Sequence, residues 1–168
     1  KNGRLNFVGY NYLEHNHVWI LKIEKNFTLD FFHSKRIPNS LRNRIKNIME
    51  SDTVTLDELG QLNKKIGYLF AEAINESIEQ SKLKRNKVKC VAISGQTIRH
   101  DVAIANPFSM QIGDPNVVCH ETGLTIISDF RNMHISLGGE GAPLVPEFHN
   151  ELFYSPRKSK IILNVGGI

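Results

Sequence analysis

Apolar and polar residues alternate through the first part of the chain, which is the pattern of strands with one buried face. The alternation covers Leu5–Tyr10, His17–Lys25 and Phe27–Lys35. We therefore predict three antiparallel strands joined by tight connections.

Short continuous apolar runs occur farther along, at Val88–Ile93 and Leu124–Ser128. Runs of this length are typical of strands that are covered on both faces, as in a parallel sheet. A last strand is predicted over Lys160–Asn164.

Between the strands, apolar residues recur every three or four positions, as on one face of a helix. A first helix is predicted after Pro38, a residue that suits a first helical turn. A second helix is predicted from Thr55 to about Ser81, because Thr55 and Glu58 have the spacing of a capping box. The stretch "GDPNVVCHETG" predicts a short third helix, with Asp114 or a neighbour as its cap and a glycine closing it.

This order of elements predicts an α/β domain with a mixed sheet, in which an antiparallel three-strand meander precedes alternating helices and strands. The order resembles one lobe of the actin-like, sugar-kinase ATPase fold, which belongs to the ribonuclease H-like class. That resemblance rests on element order alone, so it implies a fold and not an activity.

Composition and charge mainly exclude certain classes of protein. The chain has 168 residues, 40% of them hydrophobic, and a formal net charge of +4, as expected for one globular domain. No apolar run approaches the roughly 20 residues that span a bilayer, and the first residues lack a signal peptide's apolar core, so we expect a cytoplasmic protein without membrane contact. The basic run Lys82–Lys89 contains no aromatic residue, which argues against nucleic-acid binding.

The cysteines and histidines do not form a recognisable metal-ligand pattern. Cys90 and Cys119 lie far apart, without a CxxC motif or a nearby histidine pair, and are expected to be ordinary thiols. His15 and His17 are interpreted as a pair on a surface strand. No metal-ligating residue is predicted.

Polar residues and glycines follow three of the predicted strands. Ligands of open α/β sheets gather beyond the carboxyl ends of the strands, so these residues are predicted to share one crevice. They are Gln96 and Thr97 after the first of these strands, Asp129 and Arg131 after the next, and Asn164, Gly166 and Gly167 after the last.

Five stretches occur in an order and spacing that resemble the 1,6-anhydro-N-acetylmuramic acid kinases: "SGQTIRH", "FSMQIGD", "TGLTIISDFR", "LGGEGAPLVPEFH" and "LNVGGI". The resemblance is strong from about Leu56 to Ile168. It implies an enzyme of cell-wall recycling that opens the anhydro bond of its amino-sugar substrate with water and phosphorylates O6, using ATP and Mg²⁺. It also implies a homodimer.

The aspartate of the "DFR" element is the general base in this family, so the resemblance implies that role for Asp129. A base needs a carboxylate within hydrogen-bond reach of one water, at a strand end. The alternative is that Asp129 caps a loop. Arg131 is expected to bind the sugar carboxylate or phosphates through its forked guanidinium, or else to form a structural ion pair.

The resemblance also implies binding roles for several residues that have small or uncharged side chains. Glycines let a ligand approach the backbone closely, and backbone N–H groups that follow a strand can face phosphate oxygens. Local turns and turn capping are the alternatives for all of them. The expected sugar-binding residues are Gln96, Thr97, Gly138 and Gly139, and the expected nucleotide-phosphate residues are Gly9, Asn164, Gly166 and Gly167.

The chain departs from the family pattern at several points. The first phosphate loop is replaced by "FVGYNYLEHNHVWI", and Ser94, His134 and Glu140 stand where the family has histidine, aspartate and glutamine. The chain ends just inside the second phosphate motif, so we expect residues 1–168 to form a single N-terminal lobe without the second lobe. A second hypothesis follows, that of a non-catalytic fragment or pseudoenzyme that binds the sugar or dimerises.

Overall fold

The computed structural model describes residues 3–11, 15–23 and 27–162. Three strands come first, two helices follow, and further strands and helices make up the rest of the described chain, as the sequence predicts for an α/β protein. In chain order the elements are β1 (Gly3–Asn11), β2 (His15–Ile23), β3 (Phe27–Arg36), α1 (Asn39–Glu50), α2 (Leu56–Gln80), β4 (Val88–Ile93), β5 (Gln96–Asp101), β6 (Phe108–Ile112), α3 (Pro115–Thr122), β7 (Ile126–Ile127), α4 (Phe130–Ser136) and α5 (Pro146–Phe153).

The main sheet has the strand order β3-β2-β1-β4-β7. Strand β2 is antiparallel to both β1 and β3, whereas β4 is parallel to both β1 and β7. The sheet is therefore mixed, and the predicted α/β class is confirmed. Because β4 and β7 are parallel neighbours, their carboxyl ends lie at the same edge.

The core lies between helix α2 and the sheet. Thr55 starts this helix, and its Oγ1 accepts a hydrogen bond from Glu58 N at 3.1 Å, as the capping-box spacing predicts. Side chains at helical spacing along α2 then pack with those of β2 and β4 in one apolar cluster. Phe70, the largest of the fully buried side chains among the residues whose burial is described, contributes about 1.5–3 kcal/mol by leaving water.

Helix α3 has the predicted start and end. The side chain of Asp114 accepts from Asn116 N at 2.8 Å, and Pro115 occupies the first turn. Gly123 follows the last helical residue at φ 64°, a left-handed conformation that glycine adopts without steric cost.

Two predicted strands are wrong in extent. Strand β7 covers only Ile126–Ile127, because Leu124 N is hydrogen-bonded to Thr122 Oγ1 at the end of α3, and Asp129 leaves the extended region at φ 62°. Residues 160–162 are irregular rather than a strand, and the Ile161 side chain is 96% exposed. The rest of that predicted strand lies outside the described residues.

The hairpin of β5 and β6 was not predicted at all. It forms a separate two-stranded antiparallel sheet after the turn at Gly95, which has φ 71°. Gln96 and Thr97 therefore begin a new strand after β4 instead of ending the old one.

Both cysteines are free thiols, as predicted, with Cys90 buried in β4 and Cys119 exposed. Trp19 is half-buried in β2, and the His17 ring lies 5.7 Å from it. None of the helices in the described part of the chain combines the length and apolar character that crossing a bilayer requires.

Candidate functional site

A pocket of about 440 Å³ opens at the carboxyl ends of β4 and β7. Ser94 and Gly95 reach it from β4, and Ser128 and Asp129 reach it from β7. This is the strand-end position that the sequence predicts, because parallel strands place the residues that follow them at one edge of the sheet. Strand β6, helix α4 and helix α2 supply most of the remaining wall.

The lining is polar but almost uncharged. Asp129 is the single charged residue among the described residues that line the pocket. The other polar groups are hydroxyls and amides, which can form hydrogen bonds with an uncharged polar ligand without a charge to desolvate. They belong to Asn63, Ser94, Ser109, Gln111, Ser128 and Asn132.

Asp129 is the N-cap residue of α4, but its side chain does not act as a cap. Its backbone is left-handed, with φ 62° and ψ 36°, and its carboxylate accepts no backbone N–H of the first turn. Asn132 Nδ2 instead donates to Asp129 Oδ1 at 2.8 Å. Among the described residues no donor lies on Oδ2, so this oxygen is open to water or to a ligand.

A network of hydrogen bonds in the β5–β6 sheet contacts Asn132, the residue that donates to this carboxylate. Ser109 is 1% exposed, and its backbone N–H donates to Asn132 Oδ1 at 3.0 Å. The Ser109 hydroxyl lies 3.0 Å from His100 Nδ1 and accepts from Gln111 Nε2 at 2.5 Å. Gln111 Nε2 also approaches Thr97 Oγ1 at 3.4 Å.

Sequence reasoning assigned no role to His100, Ser109, Gln111 or Asn132. Ser109 and Gln111 lie in "FSMQIGD", which served only as a family motif. The alternation of "FSMQI" was the available signal, because a period of two puts Ser109 and Gln111 on the same face of a strand.

The turn after β6 is fixed to helix α2. Gly113 N donates to Asn63 Oδ1 at 2.7 Å, and Lys64 Nζ donates to Asp114 Oδ2 at 2.5 Å. Burial raises the pKa of the Asp114 carboxyl, but the hydrogen bonds from Lys64 and Asn116 outweigh that effect, so the pKa lies below its usual value. The pocket wall formed by this turn is thus a fixed part of the structure.

Gln96 and Thr97 are not among the described residues that line the pocket. Gln96 is 8% exposed; its Nε2 donates to Thr97 O at 3.0 Å, and its buried Oε1 has no partner in the described part of the chain. In the described part of the chain, Thr97 contacts the pocket wall through Gln111. Their assignment to sugar binding stays a prediction.

Arg131 contacts the glycine-rich loop, which covers residues 138–141. Its Nη1 donates to Gly141 O at 3.0 Å, and within the described ranges it forms no ion pair. Its buried Nε has no hydrogen-bond partner there either. An unpaired guanidinium nitrogen is a donor that a bound anion can use, and this role for Arg131 also stays a prediction.

The glycines of this loop have local structural roles. Gly138 has φ 88°, and a Cβ on Gly139 would overlap the imidazole ring of His134. His134 Nδ1 in turn accepts from Gly141 N at 3.1 Å. A turn therefore accounts for Gly138, and the close approach of the His134 ring accounts for Gly139. The predicted contact of both glycines with substrate stays a prediction.

The predicted phosphate residues are described only in part. Gly9 lies in β1, where it pairs with His17, while Asn164, Gly166 and Gly167 lie outside the described residues. Glu140 is exposed in the glycine-rich loop. Within the described ranges, no three His, Cys, Asp or Glu residues come together in the way that a metal site needs.

Comparison with known proteins gives one consistent family. A family model described as "Anhydro-N-acetylmuramic acid kinase" matches residues 13–168. A protein of that name from Gamma-proteobacterium EBAC31A08 is 59% identical over 151 residues, which is 90% of this chain and 42% of the relative.

More distant relatives carry the same name. The protein from Shewanella pealeana is 40% identical over 136 residues, covering 81% of this chain and 37% of its own length. That from Mannheimia succiniciproducens is 39% identical over 132 residues, covering 79% of this chain and 35% of its own. The chain thus spans less than half the length of these curated relatives.

Proposed function

The chain belongs to the anhydro-N-acetylmuramic acid kinase family, and on that premise we propose that it supplies the sugar pocket and the general base of such a kinase. The proposed reaction is the ATP-dependent opening of the anhydro bond by water with phosphorylation of O6, giving N-acetylmuramate 6-phosphate. The single observation that carries the proposal is the Asp129 carboxylate in an otherwise uncharged pocket.

The proposed role of Asp129 follows from its contacts. Oδ1 is held by Asn132 at 2.8 Å, while Oδ2 has no donor among the described residues. A water on Oδ2 would give its proton to the carboxylate as its oxygen bonds to the anomeric carbon, and the bond from that carbon to the bridging oxygen would break. Neutral hydroxyls and amides around it suit the sugar that must lie there.

The described residues that line the pocket do not fit a nucleoside triphosphate. No Lys or Arg side chain lines the described part of the pocket, and the single charge there repels phosphate. ATP and Mg²⁺ follow from the kinase family, and we assign the phosphates to Gly9, Asn164, Gly166 and Gly167. We derive no step through either cofactor at the pocket.

We further propose that residues 1–168 form one lobe of an actin-like fold in a homodimeric, cytoplasmic kinase. The strand order β3-β2-β1-β4-β7 and the share of the relatives that the chain spans support the lobe assignment. The homodimer and the location are supported by the family resemblance alone.

A coupled assay of ADP release tests the proposal on the 168-residue chain, with ATP, Mg²⁺ and 1,6-anhydro-N-acetylmuramate. Asp129→Asn should abolish sugar-dependent release, because the amide cannot take a proton from water. Asp52→Asn is the matched control, since Asp52 is exposed and is not among the described residues that line the pocket.

Calorimetric titration with the same sugar separates the two hypotheses for the chain. Binding without turnover would favour the non-catalytic hypothesis over the kinase. Neither binding nor turnover from a folded chain would refute the proposed pocket.

A further inference from the structure

We propose that Asn132 is a positioning residue that holds the Asp129 carboxylate in its working orientation; this inference rests on the proposed function. Asn132 lies three residues beyond Asp129, one turn into α4, and its side chain joins two groups that belong to different parts of the fold. Nδ2 donates to Asp129 Oδ1 at 2.8 Å, and Oδ1 accepts from Ser109 N at 3.0 Å.

The Asp129 carboxylate needs such a partner because its place in the chain does not fix the orientation of its side chain. Asp129 has a left-handed backbone at φ 62° and is exposed, so packing does not restrict its side-chain rotamers. A base displaced by about 1 Å from the reacting water can lower the rate by about 100-fold. The hydrogen bond from Asn132 ties one carboxylate oxygen and leaves the other facing the water.

Asn132 is itself held by a buried anchor. The N–H that it accepts belongs to Ser109, which is 1% exposed and whose hydroxyl is fixed by His100 and Gln111. The β5–β6 hairpin therefore places the acceptor oxygen of the Asn132 amide, and the amide in turn places its donor beside the carboxylate. This is the arrangement expected of a residue that supports a catalytic group.

Two substitutions at this position separate positioning from simple anchoring. Asn132→Asp keeps an oxygen for Ser109 N but replaces the donor to Asp129 with a second carboxylate oxygen. Asn132→Ala removes both contacts. If Asn132 only anchored the hairpin, the Asp variant, which keeps the acceptor for Ser109 N, would retain clearly more activity than the Ala variant.

We expect Asn132→Asp to lower kcat for sugar-dependent ADP release by between about 10-fold and 100-fold, with KM for the sugar changed less than about two-fold. Asn43→Asp, which adds the same charge on the exposed face of α1, should leave both constants unchanged. A kcat for Asn132→Asp within two-fold of the unmodified chain would overturn the inference.

A second measurement decides the matter if the unmodified chain shows no turnover, which would count against the proposed function and not against the contact. The side-chain amide signal of Asn132 in a ¹H–¹⁵N spectrum is assigned by its absence in Asn132→Asp. In Asp129→Asn it should move upfield, because the charged acceptor is lost. The signal of Asn116, which donates to Asp114 at 3.0 Å, should stay in place. An Asn132 signal that does not move would refute the positioning contact.

Discussion

Two glycines in helix α2 should respond in opposite ways to the same substitution. Gly60 is exposed, and a Cβ built on it meets nothing within 4 Å. Gly67 is buried, and its Cβ would lie 2.9 Å from Asp114 O and 3.1 Å from Val117 Cβ. Neither glycine has a positive φ, so alanine fits the backbone at both positions.

The comparison isolates packing, because the gain in helix propensity is common to both variants. Gly60→Ala should raise the free energy of unfolding by about 0.5–1 kcal/mol. Gly67→Ala gains the same amount but pushes against the backbone of Asp114, and overpacking of this kind costs about 1–3 kcal/mol. The two variants should therefore differ by about 1–3 kcal/mol, with Gly67→Ala the less stable.

Urea denaturation followed by circular dichroism measures this difference, provided that both variants show the same slope with denaturant. A Gly67→Ala variant as stable as Gly60→Ala would refute the close packing of α2 against the turn at Asp114. A lower sugar affinity in Gly67→Ala alone is the expected secondary effect, because the residues flanking Asp114 line the pocket.

Three further changes test other contacts. Gly139→Ala should lower the melting temperature, because its Cβ would overlap the His134 ring, and adding His134→Ala should restore most of the loss; a double variant no more stable than Gly139→Ala would contradict this contact. Asp114 has a pKa below its ordinary 3.8, so the stability it contributes is present above that pH and is lost as the pH falls through the folded pKa. In urea denaturation at several pH values below about 5, the free energy of unfolding of Asp114→Asn should fall less steeply with decreasing pH than that of the unmodified chain. An equally steep fall would refute the lowered pKa. Thr55→Ala should cost about 0.5–2 kcal/mol by removing the N-cap of α2, as urea midpoints will show, and an unchanged midpoint would argue against the cap.

Elements with local signals were predictable from the sequence. Thr55 caps α2 through a residue three positions away, and Asp114 caps α3 through a residue two positions away. Such contacts depend only on nearby residues, so spacing along the chain is enough to find them. The three strands at the start were predicted for the same reason, since their period of two is visible in each strand by itself.

The β5–β6 hairpin was missed because its stability depends on distant contacts. Its first strand is largely polar, with Ile98 as its one buried aliphatic residue. The register of the hairpin is irregular between Thr97 and Arg99, which weakens any period of two. The N–H of Ser109 donates to Asn132 Oδ1, and Asn132 lies 23 residues farther along the chain. No short window of the sequence contains both residues.

The candidate site shows the same division. Asp129 was identified from its motif and its place after an apolar run, and the structure puts it on the pocket. Asn132 was missed, although it lies in the same stretch, because its role needs both a helical turn back to Asp129 and a strand that crosses beside it. A residue that supports another through tertiary contacts leaves no signature in spacing.

The glycines of the glycine-rich loop do more than form a turn, because they also contact the side chains of His134 and Arg131. Gly139 makes room for the His134 ring, and Gly141 donates through its N–H to His134 Nδ1 and accepts through its oxygen from Arg131. The family resemblance implies an aspartate at position 134, and an imidazole nitrogen there offers an acceptor in place of a carboxylate oxygen. His134 supplies that acceptor to Gly141 N, and Arg131 donates to the oxygen of the same glycine, so histidine at this position is compatible with an ordered loop. The kinase hypothesis then requires that the chain release ADP in the presence of the sugar and that Asp129→Asn abolish this release.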